Sequence, residues 1–214
     1  MLLRYVAEGG KIDCQYQEAY ERQWNACMGG QDYSWAEPGL GTTPLNYTLA
    51  FCDIIGMQQA GEAVSVLLEL GADVNKDDGD PGVRYTPLHS AVANEATGLV
   101  RMIIQQGAQV NTPRGDGRIP LHTAMRLPPG KEKLAITGTL LVAGADINRR
   151  EPFQGNTPLH MCCSMGDVAT VELLLEAGAD TSLRNGGQHT ASELVRLETT
   201  RLEDYIEDLR GEKA

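Results

Sequence analysis

The chain has 214 residues, with 18 basic and 29 acidic side chains and a net charge of −11; its pI is near 4.8. That balance argues against a general nucleic-acid binder, whose affinity starts from Lys and Arg neutralising phosphate. A hydrophobic fraction of 42% beside 22% charged residues excludes a largely disordered chain, and no apolar run approaches the ~18 residues that suggest a membrane span.

In chain order, the first feature is what the start lacks. Arg4 interrupts the opening apolar residues too early for a secretory signal. The odd set Cys14, Cys27, Cys52, Cys162 and Cys163 is therefore expected as free thiols in a reducing, cytoplasmic setting. Paired Cys/His spacings for zinc are absent, and Cys162 and Cys163 are adjacent, so no structural metal is expected. Residues 14–42 concentrate Tyr16, Tyr20, Trp24, Tyr33 and Trp35, which are five of the eleven aromatics and both tryptophans. Residues 17–28 read as a helix. This stretch is either a cap of aromatic bulk or a binding surface, since Trp and Tyr are common interface anchors.

From residue 43 the sequence repeats itself. Thr43-Pro44-Leu45-Asn46, Thr86-Pro87-Leu88-His89, Ile119-Pro120-Leu121-His122 and Thr157-Pro158-Leu159-His160 are followed by a degenerate copy at Thr190, at separations of 43, 33, 38 and 33 residues. Interleaved with them are Gly71-Ala72-Asp73-Val74-Asn75, Gly107-Ala108-Gln109-Val110-Asn111, Gly144-Ala145-Asp146-Ile147-Asn148 and Gly178-Ala179-Asp180-Thr181-Ser182. Thr is a good N-cap and Pro suits the first helical position. A second helix follows with apolar triplets such as Leu173-Leu174-Leu175, and each later Gly suits the left-handed turn that ends it.

This pattern resembles the ankyrin repeat family, with its 33-residue period and T-P-L-H-x-A signature. The resemblance covers residues 43–210. It implies an all-α solenoid of stacked helix-turn-helix pairs with projecting β-hairpin fingers, stabilised by neighbour-to-neighbour burial. On this reading residues 1–214 form one array: a half repeat at 1–13, the aromatic-rich insert at 14–42, repeats at 43–85, 86–118, 119–156 and 157–189, and a capping repeat at 190–214. The last of these carries an apolar stripe of Leu202, Tyr205, Ile206 and Leu209. The two cap-like ends suggest a self-contained array.

Departures from the pattern are expected in loops. Residues 51–62 lengthen the inter-helix turn of the first repeat. Residues 76–85 form a longer, acidic finger whose aspartates lack the EF-hand spacing. Residues 126–133 form a stiff, exposed turn with two prolines and a basic patch of Arg126, Lys131 and Lys133.

No enzyme motif stands out. The chain lacks a phosphate-cradling glycine pattern and a recognisable nucleophile motif, and no cofactor is expected. The resemblance gives His89, His122 and His160 a structural hydrogen-bonding role; His189 has no evident partner in the sequence. Cys162 and Cys163 take the place of two small core residues.

The resemblance further implies a non-enzymatic module that binds a protein segment on its fingers and first helices, here over residues 84–189. The candidate contacts are Arg114, Asp116 and Arg118; Arg126 and Leu127; Arg149, Arg150, Phe153, Gln154 and Asn156; Ser164 and Met165; and Arg184 and His189. The three fingers carry more Arg than Asp and Glu, so the expected partner is an acidic protein segment with an apolar anchor, bound by a monomer. Leu127, Phe153 and Met165 would supply the apolar anchors on this side. The alternative is a regulatory module that binds a small molecule or modified peptide at Tyr20, Trp24, Tyr33 and Trp35. The resemblance also marks Asn75, Asn111 and Asn148 as positions that asparaginyl hydroxylases can modify.

Overall fold

A computed structural model describes residues 43–79 and 82–195. The aromatic insert and its four candidate contacts, the half repeat at 1–13 and the stripe at 202–209 lie outside the described residues. The rest divides into two compact units, the first ending at Gln109 and the second starting at Val110.

The first unit holds α1 (Pro44–Ala50), α2 (Cys52–Ile55), α3 (Met57–Glu69), α4 (Pro87–Ala93) and α5 (Thr97–Gln105). Residues 51–62 are thus largely helical rather than a lengthened turn. Gly56, with φ +95, ends α2 and precedes α3, in a backbone conformation that glycine adopts without steric cost. The core is small and aliphatic: Leu45, Leu49, Ala60, Val64, Leu67, Leu88, Val100 and Ile103 are at most 1% exposed.

The second unit holds α6 (Pro120–Met125), α7 (Lys131–Val142), α8 (Pro158–Met165), α9 (Val168–Glu176) and a 3-10 turn, Ser192–Leu194. Its core joins Ile119, Leu121, Met125, Ile136, Leu140, Leu159, Cys162, Cys163, Val171 and Leu174. Cys162 and Cys163 are fully buried, and burial pushes both thiols up to about 12.

Both units end their second helices in the same way. Gly71, Gly107, Gly144 and Gly178 have φ between +85 and +90. Each is flanked by paired bonds such as Ala179 N to Leu174 O at 2.9 Å and Gly178 N to Leu175 O at 3.0 Å. This is a Schellman closure, which satisfies the last carbonyls of the helix. The helix starts are equally regular. Thr43, Thr86 and Thr157 side chains cap their helices. At the fourth start Ile119 has no hydroxyl, and His122 Nδ1 accepts from the Ile119 N–H at 3.2 Å instead.

An asparagine after each of the first three Schellman turns ties that turn to the next. In the first unit Asn75 donates to Gly107 O at 3.2 Å and accepts from Gln109 N at 2.8 Å. In the second, Asn111 donates to Gly144 O at 2.9 Å and accepts from Asp146 N at 2.8 Å. Asn148 accepts from Asp180 N at 2.9 Å.

Candidate partner-binding surface

The fourteen candidate contacts all belong to the second unit, where three fingers alternate with helix pairs. Each finger is closed by a backbone bond: Arg114 N to Arg118 O at 2.9 Å, Glu151 N to Asn156 O at 2.8 Å, and Asn185 N to His189 O at 2.9 Å. Arg184 and Thr190 form an isolated antiparallel bridge. The fingers are too short for longer ladders.

A carboxylate or amide organises each tip. Asp116 accepts from Arg114 Nε at 2.8 Å and from the Arg118 N–H at 3.1 Å. Glu151 accepts from the N–H groups of Phe153 at 3.0 Å and Gln154 at 2.6 Å, with Asn156 at 3.4 Å. Asn185 Oδ1 accepts from the N–H groups of Gly187 and His189, both at 3.0 Å. Burial works against both carboxylates, but these donors outweigh it and hold the Asp116 and Glu151 carboxyls below the usual range.

The fingers are also joined to one another. Arg118 reaches Asp116 at 3.5 Å on its own finger and Glu151 at 3.7 Å on the next. Gly186 N donates to Gln154 O at 2.7 Å, and Asn185 Nδ2 donates to Asn156 Oδ1 at 2.8 Å. Two glycines make these approaches possible. A Cβ on Gly117 would lie 2.5 Å from Pro152 Cγ, and one on Gly186 would lie 2.8 Å from Gln154 O.

Histidines fasten finger to helix. His122 Nε2 lies 2.8 Å from Arg149 O, and His160 Nε2 lies 2.9 Å from His189 O. A carbonyl can only accept, so each Nε2 carries the proton and each Nδ1 accepts. Burial lowers both pKa values and keeps the rings neutral. These are structural histidines, as the repeat position implied. Among the described residues, no group of three or more His, Cys, Asp or Glu could hold a metal ion.

Several sequence expectations are corrected here. Leu127 is 6% exposed and packs inward, so it is not a surface anchor. Lys133 is fully buried and does not belong to an exposed basic patch. Its ammonium lies 2.8 Å from Asp167 Oδ2 and donates to Met125 O at 2.9 Å. Arg114 and Arg118 are not free charges, because Asp116 and Glu151 neutralise them and both side chains are at most 16% exposed. His189, which lacked an evident partner in the sequence, has Glu193 at 3.6 Å.

What remains on the surface is Phe153, 66% exposed, with Arg118 4.8 Å from its ring centroid. Arg149, Arg150, Gln154, Ser164, Met165, Arg184 and His189 are exposed in the same unit, as is Arg126. Asn156 is half-buried and its amide donates to Gln154. Sequence reasoning missed Glu151 and Asp167 as organisers. Asp167 had a readable signal, an Asp immediately before an apolar helical run; it accepts from Thr170 N as the cap of α9.

Comparison with known proteins agrees with this architecture. The model of the family described as ankyrin repeats (3 copies) matches residues 54–151, and the single ankyrin repeat model matches residues 154–186. The chain belongs to the ankyrin repeat family. It is 31% identical over 157 residues to "Putative palmitoyltransferase ZDHHC13" of Danio rerio, covering 73% of this chain and 22% of that protein. It is 32% identical over 133 residues to neurogenic locus notch homolog protein 1 of Xenopus tropicalis, covering 60% of this chain and 5% of that protein. It is 36% identical over 124 residues to ankyrin repeat and SOCS box protein 6 of Homo sapiens, covering 55% and 28%. The chain thus spans less than a third of the length of these relatives. Ankyrin repeats are in general protein-protein interaction modules, and among the described residues no helix is long and apolar enough to cross a membrane.

Proposed function

We propose that this chain is a non-enzymatic, cytoplasmic interaction module that grips a protein segment with the fingers of its second unit. The observation that carries this reading is Phe153. A large apolar ring held 66% exposed on a cross-linked finger is an anchor presented in advance, so little ordering cost falls on the scaffold. The exposed Arg149 and Arg150 precede it, and Arg184 lies on the neighbouring finger. An acidic segment with one apolar side chain complements that set. Arg114, Asp116 and Arg118 act through the finger they stiffen rather than by direct pairing. Three buried cysteines with free thiols fit a reducing compartment.

The test is affinity capture from lysate with the intact chain as bait, followed by mass spectrometry. Phe153→Ala, and separately Arg149→Glu with Arg150→Glu, should each lose a protein that the parent retains while circular dichroism stays unchanged. Retention of every captured protein by both variants rejects the finger surface.

A further inference from the structure

The turn between α6 and α7 is longer than its counterpart between α8 and α9. From Ile119 to Gly144 is 25 residues, whereas Thr157 to Gly178 is 21. Most of the difference lies in the connection, which is five residues between α6 and α7 and two between α8 and α9. The five are Arg126-Leu127-Pro128-Pro129-Gly130, and Lys131 follows.

Both ends of this turn are pinned. Leu127 is 6% exposed, and its N–H donates to Ala124 O at 3.1 Å. Leu134 N donates to Gly130 O at 3.1 Å, and the buried Lys133 ammonium donates to Met125 O at 2.9 Å. The start of α7 is thereby tied back to the end of α6. Between these fixed points Pro128, Pro129, Gly130 and Lys131 are all exposed, as is Arg126 just before them.

The backbone of the exposed step is restricted by its own covalent structure. Each proline ring fixes φ near −65°, and a residue that precedes proline is pushed to extended or polyproline II values. Pro129 therefore holds Pro128 in that conformation. Gly130 continues extended, with φ 169 and ψ 177. A segment ordered in advance loses little entropy on binding. Lys131 approaches Glu132 at 3.6 Å, but its side chain is 90% exposed, and an exposed pair of this kind holds little energy.

We propose that residues 126–131 are themselves a ligand, a Pro-Pro step flanked by Arg126 and Lys131 that enters the aromatic-lined groove of a partner domain with acidic groups at its edge. Aromatic grooves recognise polyproline II segments because the ridge is already formed. No further proline stands three residues from Pro128 or Pro129, so a groove that reads PxxP is left half filled. A WW domain, whose short groove needs one Pro-Pro step, fits better. The flanking cations set the sign of the complementary rim. This contact uses none of the finger residues.

The test is an NMR titration of the intact chain with a panel of isolated WW domains that differ in rim charge. Domains with an acidic rim should give saturable shifts at the amides of Leu127, Gly130 and Lys131. Pro128→Ala with Pro129→Ala should weaken that binding at least about tenfold. Arg126→Glu with Lys131→Glu keeps both prolines and should weaken it about fivefold or more. Circular dichroism should be unchanged in both variants, and Phe153→Ala should bind as the parent does. No saturable shift with any domain of the panel overturns the proposal. So do shifts confined to other residues, unchanged binding by the Pro128 and Pro129 variant, or equal binding by basic-rimmed domains.

Discussion

Lys133 on α7 and Asp167 at the start of α9 form an ion pair of 2.8 Å, with both side chains at most 3% exposed. The pair bridges successive helix-turn-helix units and is backed by hydrogen bonds at both ends. Lys133 donates to Met125 O, and Asp167 caps Thr170 N at 3.3 Å. Burial alone would raise the Asp167 carboxyl. The Lys133 bond and charge, with Thr170, outweigh it and hold the group ionised below its usual range. Removing one partner leaves the other charged and dry. Lys133→Met should therefore cost about 3–5 kcal/mol, measured by urea unfolding followed by circular dichroism. Lys133→Met with Asp167→Ser should recover much of that loss, because Ser keeps the helix cap and no charge remains buried.

The histidine fasteners set a pH dependence. His122 and His160 have folded pKa values lowered by burial. The unfolded chain takes up protons first as pH falls through ~6.5, so stability rises with pH across that window. Stability should be at its plateau above ~7 and fall on acidification toward the lower folded values. Thermal melts between pH 7.5 and 5.5 check this, and His122→Gln should flatten the slope. A second loss belongs to Asp116, Glu151 and Asp167, whose folded values are also lowered. Their contribution is complete above ~pH 4–4.5 and disappears as pH falls through the folded values.

Two glycines of the second unit should respond in opposite directions to alanine. Gly117 has φ +82, and a Cβ there would lie 2.5 Å from Pro152 Cγ. Gly117→Ala should cost at least ~1–2 kcal/mol from the left-handed backbone and the clash together. Gly138 lies inside α7 with nothing within 4 Å of a built Cβ. Gly138→Ala should stabilise by about 0.5–1 kcal/mol through helix propensity. Parallel urea titrations with unchanged m-values settle both signs.

Cys52, Cys162 and Cys163 are fully buried. The thiolate is the reactive form, and burial raises all three thiols, the latter two to about 12. Under native conditions these three should resist iodoacetamide at pH 8 and react promptly in denaturant. Peptide-level mass spectrometry reads each site separately. Rapid native labelling at Cys162 or Cys163 would contradict the packing of α8.

Much of the fold was written locally. Thr-Pro at a helix start and Gly after a Leu triplet each solve a backbone problem within a few residues. Caps and Schellman turns therefore fall where the spacing put them, from Thr86 to Gly107 and from Thr157 to Gly178. The same holds for His122 and His160, whose repeat position implied a structural bond. The stretch at 51–62 reads as a turn in sequence because the four residues of α2 are too few to show a helical period and Gly56 cuts them off from α3.

Charge was the least readable property, for a physical reason. A sequence counts Arg114, Arg118, Arg149 and Arg150 alike, yet exposure and pairing depend on neighbours many residues away. Glu151 turns Arg118 into a strut, and Asp167, 34 residues along, draws Lys133 out of water. Leu127 is buried at 6% exposure while Phe153 stays 66% exposed, a difference their apolar character does not reveal. The sequence by itself determined the repeat, the helix ends and the buried small residues, since each rests on interactions over a few positions. Only the tertiary structure decided which charges meet a partner inside the molecule and which remain for another one, because electrostatic energy depends on distance and burial rather than on order along the chain.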